Sequence, residues 1–275
     1  MLSLCACLHG NEPVGINAVN NLLDKLHYSN FKFNGEIRII LGNLRALQKN
    51  SRNINCDLNR CFSDILENDN LSLFERKRVG EIKEFIKGSK YIIDIHSSSS
   101  PSPPFLAYPH KSCPPYLIPL KFLKYHTYNW ATHLRGTCLM HWAYEQGIES
   151  FVLECGQHNL DTTLKNGILI LNEFLSLINI FPSKSKKKVK EIPILIKIED
   201  CIFADEEKLQ LLPKPIGFTS VKVDDMLLKG AKSEIKSAHD GFIIFPNERA
   251  KPGEAILYLG RTVTPPPFWK LDQET

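Results

Sequence analysis

The sequence predicts an α/β fold: a mixed, mostly parallel sheet flanked by helices, with a small all-β domain at the carboxyl end. Three observations lead there. Short apolar runs that fit buried strands alternate with helical patterns over about the first 180 residues. Three of those runs lead into a residue that can bind a metal or move a proton: His9, His96 and Glu154. All three are thereby placed just past the carboxyl end of a predicted strand, the rim where open α/β sheets bind ligands. Beyond residue 183 the pattern changes to short strands separated by Pro, Gly and Asp turns.

Taken in order, residues 2–8 are an apolar run that ends on His9. Pro13 suits a first helical position, and Val14, Ala18, Leu22 and Leu26 form a stripe that carries a helix to about residue 27. Residues 36–41 read as a buried strand, and 48–60 as a polar segment with little periodicity. A charged helix follows over 73–86, then a buried strand over 91–95 that runs into His96 and four serines. Residues 101–104 form a loop, 105–108 a strand, 117–134 a mostly helical segment and 151–153 a short buried strand before Glu154. A long helix over 160–181 closes this part. Pro182 and the lysine run 184–190 read as a solvated connector. Strands over 192–198, 217–223, 241–245 and 255–259 complete the chain. The predicted division is therefore 1–183, a linker 184–191, and a β domain 192–275.

Composition narrows the function. The chain has 275 residues, 43% hydrophobic and 23% charged, enough for a sizeable core. A net charge of +4 is slight for this length and argues against a nucleic-acid partner. The most membrane-like stretch, 168–181, is interrupted by Asn172, Glu173, Ser176 and Asn179, short of the roughly 18 apolar residues a span needs. Eight cysteines are scattered without a CxxC pair, and no signal peptide precedes them, which predicts free thiols in a reducing, cytoplasmic setting.

The chemistry starts at His9-Gly10-Asn11-Glu12. A His and a Glu three residues apart, on a turn leaving a strand, can put a nitrogen and a carboxylate oxygen on one ion. Zinc accepts both, and catalytic zinc commonly has three protein ligands with one position open. His96 is the natural third. A lone His after a strand is more often structural, but its pairing with His9-x-x-Glu12 reverses those odds. Ligand histidines usually give their second ring N–H to a carboxylate or carbonyl; Asp57 is the first candidate and Asp94 the second. Glu154 follows an apolar strand, where an uncompensated carboxylate is costly. It is either the partner of a buried arginine or a general base for water. Arg52, Asn59 and Arg60 lie in the non-periodic segment, and Arg beside Asn suits carboxylate binding.

Together, His9-Gly10-Asn11-Glu12, Asp57-Leu58-Asn59-Arg60, Asp94-Ile95-His96-Ser97 and Glu154-Cys155-Gly156 resemble the succinylglutamate desuccinylase/aspartoacylase family, a branch of the zinc carboxypeptidase-like fold. The motifs agree in order and approximate spacing over residues 2–180, and the tail resembles the family's β domain in architecture. The resemblance implies that His9, Glu12 and His96 bind one zinc, and that Glu154 is the base and later the acid. Arg52, five residues before Asp57, would polarise the scissile carbonyl; Asn59 and Arg60 would grip a substrate carboxylate; Asp57 would orient His9. Three departures stand out. Only eight residues precede His9, which implies a sheet one strand short or a start upstream. Leu44 stands where the family usually has Pro after Gly-Asn. Tyr144 stands about ten residues before Glu154, where aspartoacylases carry a second carboxylate-binding Arg, a departure from aspartoacylase specificity.

The expected activity is zinc-dependent hydrolysis of a small N-acyl amino acid or related carboxylated amide, a non-peptide carbon–nitrogen bond. A carboxypeptidase acting on peptides would use the same constellation, and a zinc-binding protein without catalysis is the rival from another class. Retention of Glu154 and Arg52 argues against the latter, because a pure binder needs neither.

Overall fold

In the computed structural model, which describes residues 1–28, 35–63, 73–110, 120, 123–181, 192–206, 209–212, 215–231 and 233–265, the opening apolar run forms the strand β1 (Leu2–Ala6) with every residue buried. It pairs in parallel with β2 (Ile37–Leu41) on one side and β3 (Tyr91–Ser98) on the other. A central parallel strand is covered on both faces, so its sequence is nearly all apolar, and its one polar side chain, Ser3, meets Ser89 Oγ at 2.7 Å. Leu2, Leu4 and Ala6 enter one core and Cys5 the opposite one. Between β1 and β2 runs the helix α1 (Val14–Tyr28), whose Val14, Ala18, Val19 and Leu22 are buried. A short helix, α2 (Leu44–Gln48), follows β2, its first turn capped by the Asn43 side chain accepting from the Ala46 N–H at 3.1 Å. The helix α3 (Leu73–Ile86) has the predicted bounds and packs Val79, Ile82 and Ile86 beneath the face that Cys5 and Ile92 occupy.

The strands β4 (Phe105–Ala107) and β5 (Tyr125–Tyr128), the helix α4 (Leu139–Glu145), the strand β6 (Glu149–Gln157) and the helix α5 (Asp161–Leu177) come next. The remaining strands are β7 (Ile194–Phe203), β8 (Gln210–Leu211), β9 (Thr219–Val221), β10 (Met226–Lys229), β11 (Glu234–Lys236), β12 (Gly241–Ile244) and β13 (Ala255–Thr262). Ten strands form one sheet in the order β2-β1-β3-β6-β4-β5-β7-β13-β12-β9, and β11-β10-β8 form a second. Among β1–β7 only the β4–β6 pairing is antiparallel; from β7 onward every pairing is antiparallel. The sheet is therefore mixed and mostly parallel where helices cover it, and antiparallel at the carboxyl end. An aromatic cluster that includes Phe105, Trp130, Phe218 and Tyr258 packs the two regions together. Among the described residues, no helix is long and apolar enough to cross a membrane.

Three expectations are corrected. The helix predicted over 117–134 is not formed where the chain is described: 125–128 is β5, held between β4 and β7. Tyr125, Thr127 and Tyr128 are aromatic or β-branched residues that favour a pleated surface. Asn129, at φ 72°, then leaves the strand through the left-handed region. His96 and Glu154 lie inside β3 and β6 rather than past their ends, because those strands extend to Ser98 and Gln157 through polar residues. The helices α2 and α4 were not anticipated; at five and seven residues they are too short for periodicity to mark. The linker expected over 184–191 lies outside the described residues.

Candidate metal centre and active site

The turn after β1 sets the first two candidate ligands. Cys7 takes φ 63° and swings the chain off the sheet, while the Gly42 and Asn43 N–H groups donate to the Ala6 and Cys7 carbonyls at 2.8 and 2.7 Å. Gly10 then passes against the backbone of α2. A Cβ there would stand 2.0 Å from the Ala46 carbonyl carbon, so only glycine fits. The Gly10 N–H donates to the Arg52 carbonyl at 3.2 Å, which fastens this turn to the polar segment. His9 and Glu12 are both buried as a result.

His9, Glu12 and His96 meet as the sequence predicts. One ligand atom from each can be chosen so that all lie within 4.8 Å of one another. The Glu12 carboxylate sits between the two rings, with Oε1 2.8 Å from His9 Nδ1 and Oε2 2.9 Å from His96 Nδ1. The Ser97 N–H donates to the same Oε2 at 3.0 Å.

Each ring's other nitrogen faces an aspartate. His9 Nε2 is 2.9 Å from Asp57 Oδ1, and His96 Nε2 is 2.6 Å from Asp94 Oδ2. Asp94 and His96 are two apart on a strand and so share a face; Asp57 reaches His9 from the start of a 3₁₀ turn (Leu58–Arg60) that it caps. An aspartate at Nε2 favours a proton there, so Nδ1 can meet the Glu12 carboxylate favourably only with positive charge between them, either a second ring proton or a bound cation. Burial alone would lower the His96 basicity, yet Asp94 and Glu12 raise it well above the ordinary value. Burial would likewise raise Glu12, but His9 and His96 hold it well below the usual carboxylate range. The donor set is thus two imidazoles and a carboxylate, backed by two further carboxylates, around a centre that calls for a cation. This fits zinc.

Glu154 stands in register with His96 on the neighbouring parallel strand. Its Oε2 is enclosed and has no hydrogen-bond partner. Burial pushes its carboxyl up to about 8, with Glu12 and Asp94 adding to the rise and His96 and Arg52 opposing it. The alternative reading, partner of a buried arginine, is not what the geometry gives. Arg52 instead directs Nε and Nη2 to Asp57 Oδ2, at 3.2 and 2.8 Å, and Nη1 to Glu12 Oε1 at 3.4 Å, with its side chain 44% exposed. The Asn59 amide is buried. Its Oδ1 accepts from the Leu139 N–H at 2.9 Å, and its Nδ2 lies 3.5 Å from both Asp94 Oδ2 and His96 Nε2. Arg60 Nη1 donates to the Asn59 carbonyl at 2.8 Å.

His158, Tyr258 and Cys201 are groups at the site that carried no signal in the sequence. Ser97 Oγ is 2.8 Å from Nδ1 of His158, which directly follows β6. Tyr258 and Cys201, on β13 and β7, come within electrostatic reach of the arginines. Burial pushes the Tyr258 hydroxyl up to about 12 while Arg60 and Arg52 oppose it, and Arg60 acts similarly on the Cys201 thiol. Groups brought together from strands so far apart in sequence leave no local pattern to read.

Residues 1–166 match the family model of the succinylglutamate desuccinylase/aspartoacylase catalytic domain. A curated relative, "Probable aspartoacylase" from Acaryochloris marina (strain MBIC 11017), is 32% identical over 97 residues, which span 34% of this chain and 32% of that protein. Similar solved structures include a succinylglutamate desuccinylase from Vibrio parahaemolyticus, with a TM-score of 0.75 and 12% identity over 96% of this chain and 82% of that one. A second, from Chromobacterium violaceum, gives 0.73 and 21% over 96% and 84%. The ectoine utilization protein EutE from Ruegeria pomeroyi gives 0.72 and 16% over 95% and 85%. At these identities the structural likeness speaks to the fold.

Proposed function

Because the chain belongs to the succinylglutamate desuccinylase/aspartoacylase family, we propose that it is a zinc-dependent hydrolase that cleaves the amide bond of a small N-acyl amino acid or related carboxylated amide. The observation that carries this reading is the meeting of His9, Glu12 and His96 with Glu154 beside them, one of whose carboxylate oxygens is enclosed and without a hydrogen-bond partner. In this reading His9, Glu12 and His96 would hold the metal, while Asp57 and Asp94 fix both rings. Zinc so held would act as a Lewis acid, lowering the pKa of water to about 7 and polarising the scissile carbonyl.

Glu154 takes a proton from the attacking water and returns it to the leaving amine. A carboxyl that burial raises to about 8, and that a neighbouring cation would lower again, suits a group that must accept and give a proton near neutrality. Arg52 turns its half-exposed guanidinium to the developing oxyanion, a contribution of roughly 3–4 kcal/mol for a well-placed donor. Arg60 grips the substrate carboxylate, and Asn59 offers Nδ2, since its Oδ1 is occupied by Leu139. Residues 1–183 form the catalytic unit in this reading, 184–191 the linker, and 192–275 a β unit that roofs the cleft and restricts it to small substrates. The packing of Tyr258 and Phe218 from this part against Phe105 and Trp130 supports that placement.

The test is hydrolysis by the zinc-loaded protein of a panel of N-acyl amino acids, N-acetylaspartate and N-succinylglutamate among them, beside peptides of increasing length. Release of the free amino acid from short acyl substrates, with little action on peptides, is the expected result. Preference for peptides would overturn the substrate class in favour of a carboxypeptidase.

A further inference from the structure

Two cysteines bracket the Asp57-Leu58-Asn59-Arg60 turn, and their sulfurs touch. Cys56 Sγ and Cys61 Sγ are 3.3 Å apart, and the Cys61 thiol donates to the Asp57 carbonyl at 3.1 Å. Cys61 is buried and well anchored. Its N–H donates to the Leu58 carbonyl at 3.2 Å, it bridges to Thr137, and Phe62 N–H donates to the Thr137 carbonyl at 2.9 Å. Cys56 is the partly exposed member, open to a reagent from solvent. A disulfide needs a sulfur separation of about 2.05 Å, so a closure of a little over 1 Å joins them.

We propose that Cys56 and Cys61 form a reversible disulfide that tightens the Asp57–Arg60 turn and loosens the hold of Asp57 on His9. The oxidant is a small disulfide such as glutathione disulfide. The Cys56 thiolate attacks one of its sulfurs and expels one glutathione thiolate; Cys61 then gives up its proton, attacks Cys56 Sγ and expels the second. Two electrons pass to the glutathione disulfide and two glutathione thiols are formed. Burial and the nearby Glu75 and Asp57 carboxylates hold both thiols above their ordinary pKa, so the reaction starts from a small thiolate fraction and quickens as pH rises. Closure takes the Cys61 S–H away from the Asp57 carbonyl and draws on the ends of the segment whose Asp57 Oδ1 sits 2.9 Å from His9 Nε2. Partners of ligand histidines matter to metal affinity by about 10–100-fold. The oxidised form therefore holds zinc about tenfold more weakly. This last step rests on the zinc reading above; the disulfide itself does not.

The experiment incubates the full, zinc-loaded chain with glutathione disulfide at pH 8. It then reads the mass of the proteolytic peptide spanning 53–62 and the release of zinc to a chelating dye. Loss of two hydrogens from that peptide, reversed by dithiothreitol, with faster zinc release only in the oxidised form, is the expected result. The Cys56→Ser and Cys61→Ser variants should each show no such loss and unchanged release. Two freely alkylated cysteines after the incubation would overturn the proposal, and so would a disulfide that leaves zinc release unaltered. A chain that takes up no zinc would sink the metal reading, with the peptide mass still deciding whether the disulfide forms.

Discussion

His96 and Glu154 are direct cross-strand neighbours, paired in register on the parallel strands β3 and β6. Neighbouring strands lie about 4.8 Å apart, so the candidate ligand and the proposed proton-transfer group are delivered to one place by backbone pairing alone. Removing the carboxylate should then stop proton transfer without dismantling the metal centre. Glu154→Gln and Glu154→Ala should each lower turnover by about 10²–10⁴-fold, with zinc content by elemental analysis unchanged. Activity near that of the parent would show that Glu154 is not the base.

The two aspartates behind the histidines should be separable from the ligands. His96→Ala should lose the metal outright. Asp94→Asn and Asp57→Asn keep an acceptor oxygen near Nε2 but remove the charge that fixes the ring and favours its metal-bound form. A drop of about 10–100-fold in zinc affinity is expected for each, read by competition with a chelator. Affinities equal to the parent's would mean that the 2.6 and 2.9 Å contacts do not tune the site.

Glu154 also predicts a pH-dependent stability for the metal-stripped protein. Its folded-state pKa of about 8 lies above the unfolded value of about 4.3. Folding therefore favours the protonated form: the contribution is fully present below about pH 4 and is lost as pH rises through 8. Glu154→Gln mimics that protonated form at every pH. Denaturant unfolding should find parent and variant alike near pH 4, with the variant increasingly favoured toward pH 9, by at most a few kcal/mol. A gap that does not widen between those limits would show that the enclosed oxygen is hydrated.

Much of this site is legible because it is built from local geometry. Asp94-Ile95-His96 is a strand pattern of period two, so carboxylate and imidazole fall on one face and meet at 2.6 Å. His9-x-x-Glu12 spans a single turn and needs no distant contact to converge. The helix over Leu73–Ile86 and the strands β1 and β2 were likewise carried by apolar pattern within one element. The failures share the opposite cause. The segment 125–128 becomes a strand only because β4 and β7 flank it. The bond from the Leu139 N–H to Asn59 Oδ1, eighty residues apart, likewise has no local pattern to announce it. Tyr258 lies in a correctly anticipated strand, but nothing local says that it would pack against Trp130 or come within electrostatic reach of Arg60.

The closest steric constraint on the centre belongs to a residue without a side chain. Gly10 follows His9 directly, and a methyl there would meet the Ala46 carbonyl carbon at 2.0 Å and the Leu47 nitrogen at 2.2 Å. Those are backbone atoms of α2, itself capped by Asn43 and joined to Ser51 by a bond to the Ala46 carbonyl at 3.0 Å, so they cannot swing aside as a flexible side chain could. Gly10→Ala must push the turn or the helix, and either movement carries His9 away from Glu12 and Asp57. Overpacking of this kind costs about 1–3 kcal/mol. The variant should therefore unfold at lower denaturant and also bind zinc more weakly. Gly80→Ala, on α3 with open space around its Cβ, is the control and should leave zinc binding unchanged and stability equal or slightly higher. A Gly10→Ala protein with parent stability and parent zinc affinity would mean that the turn yields, and that His9 is not held in place by its neighbour's lack of a side chain.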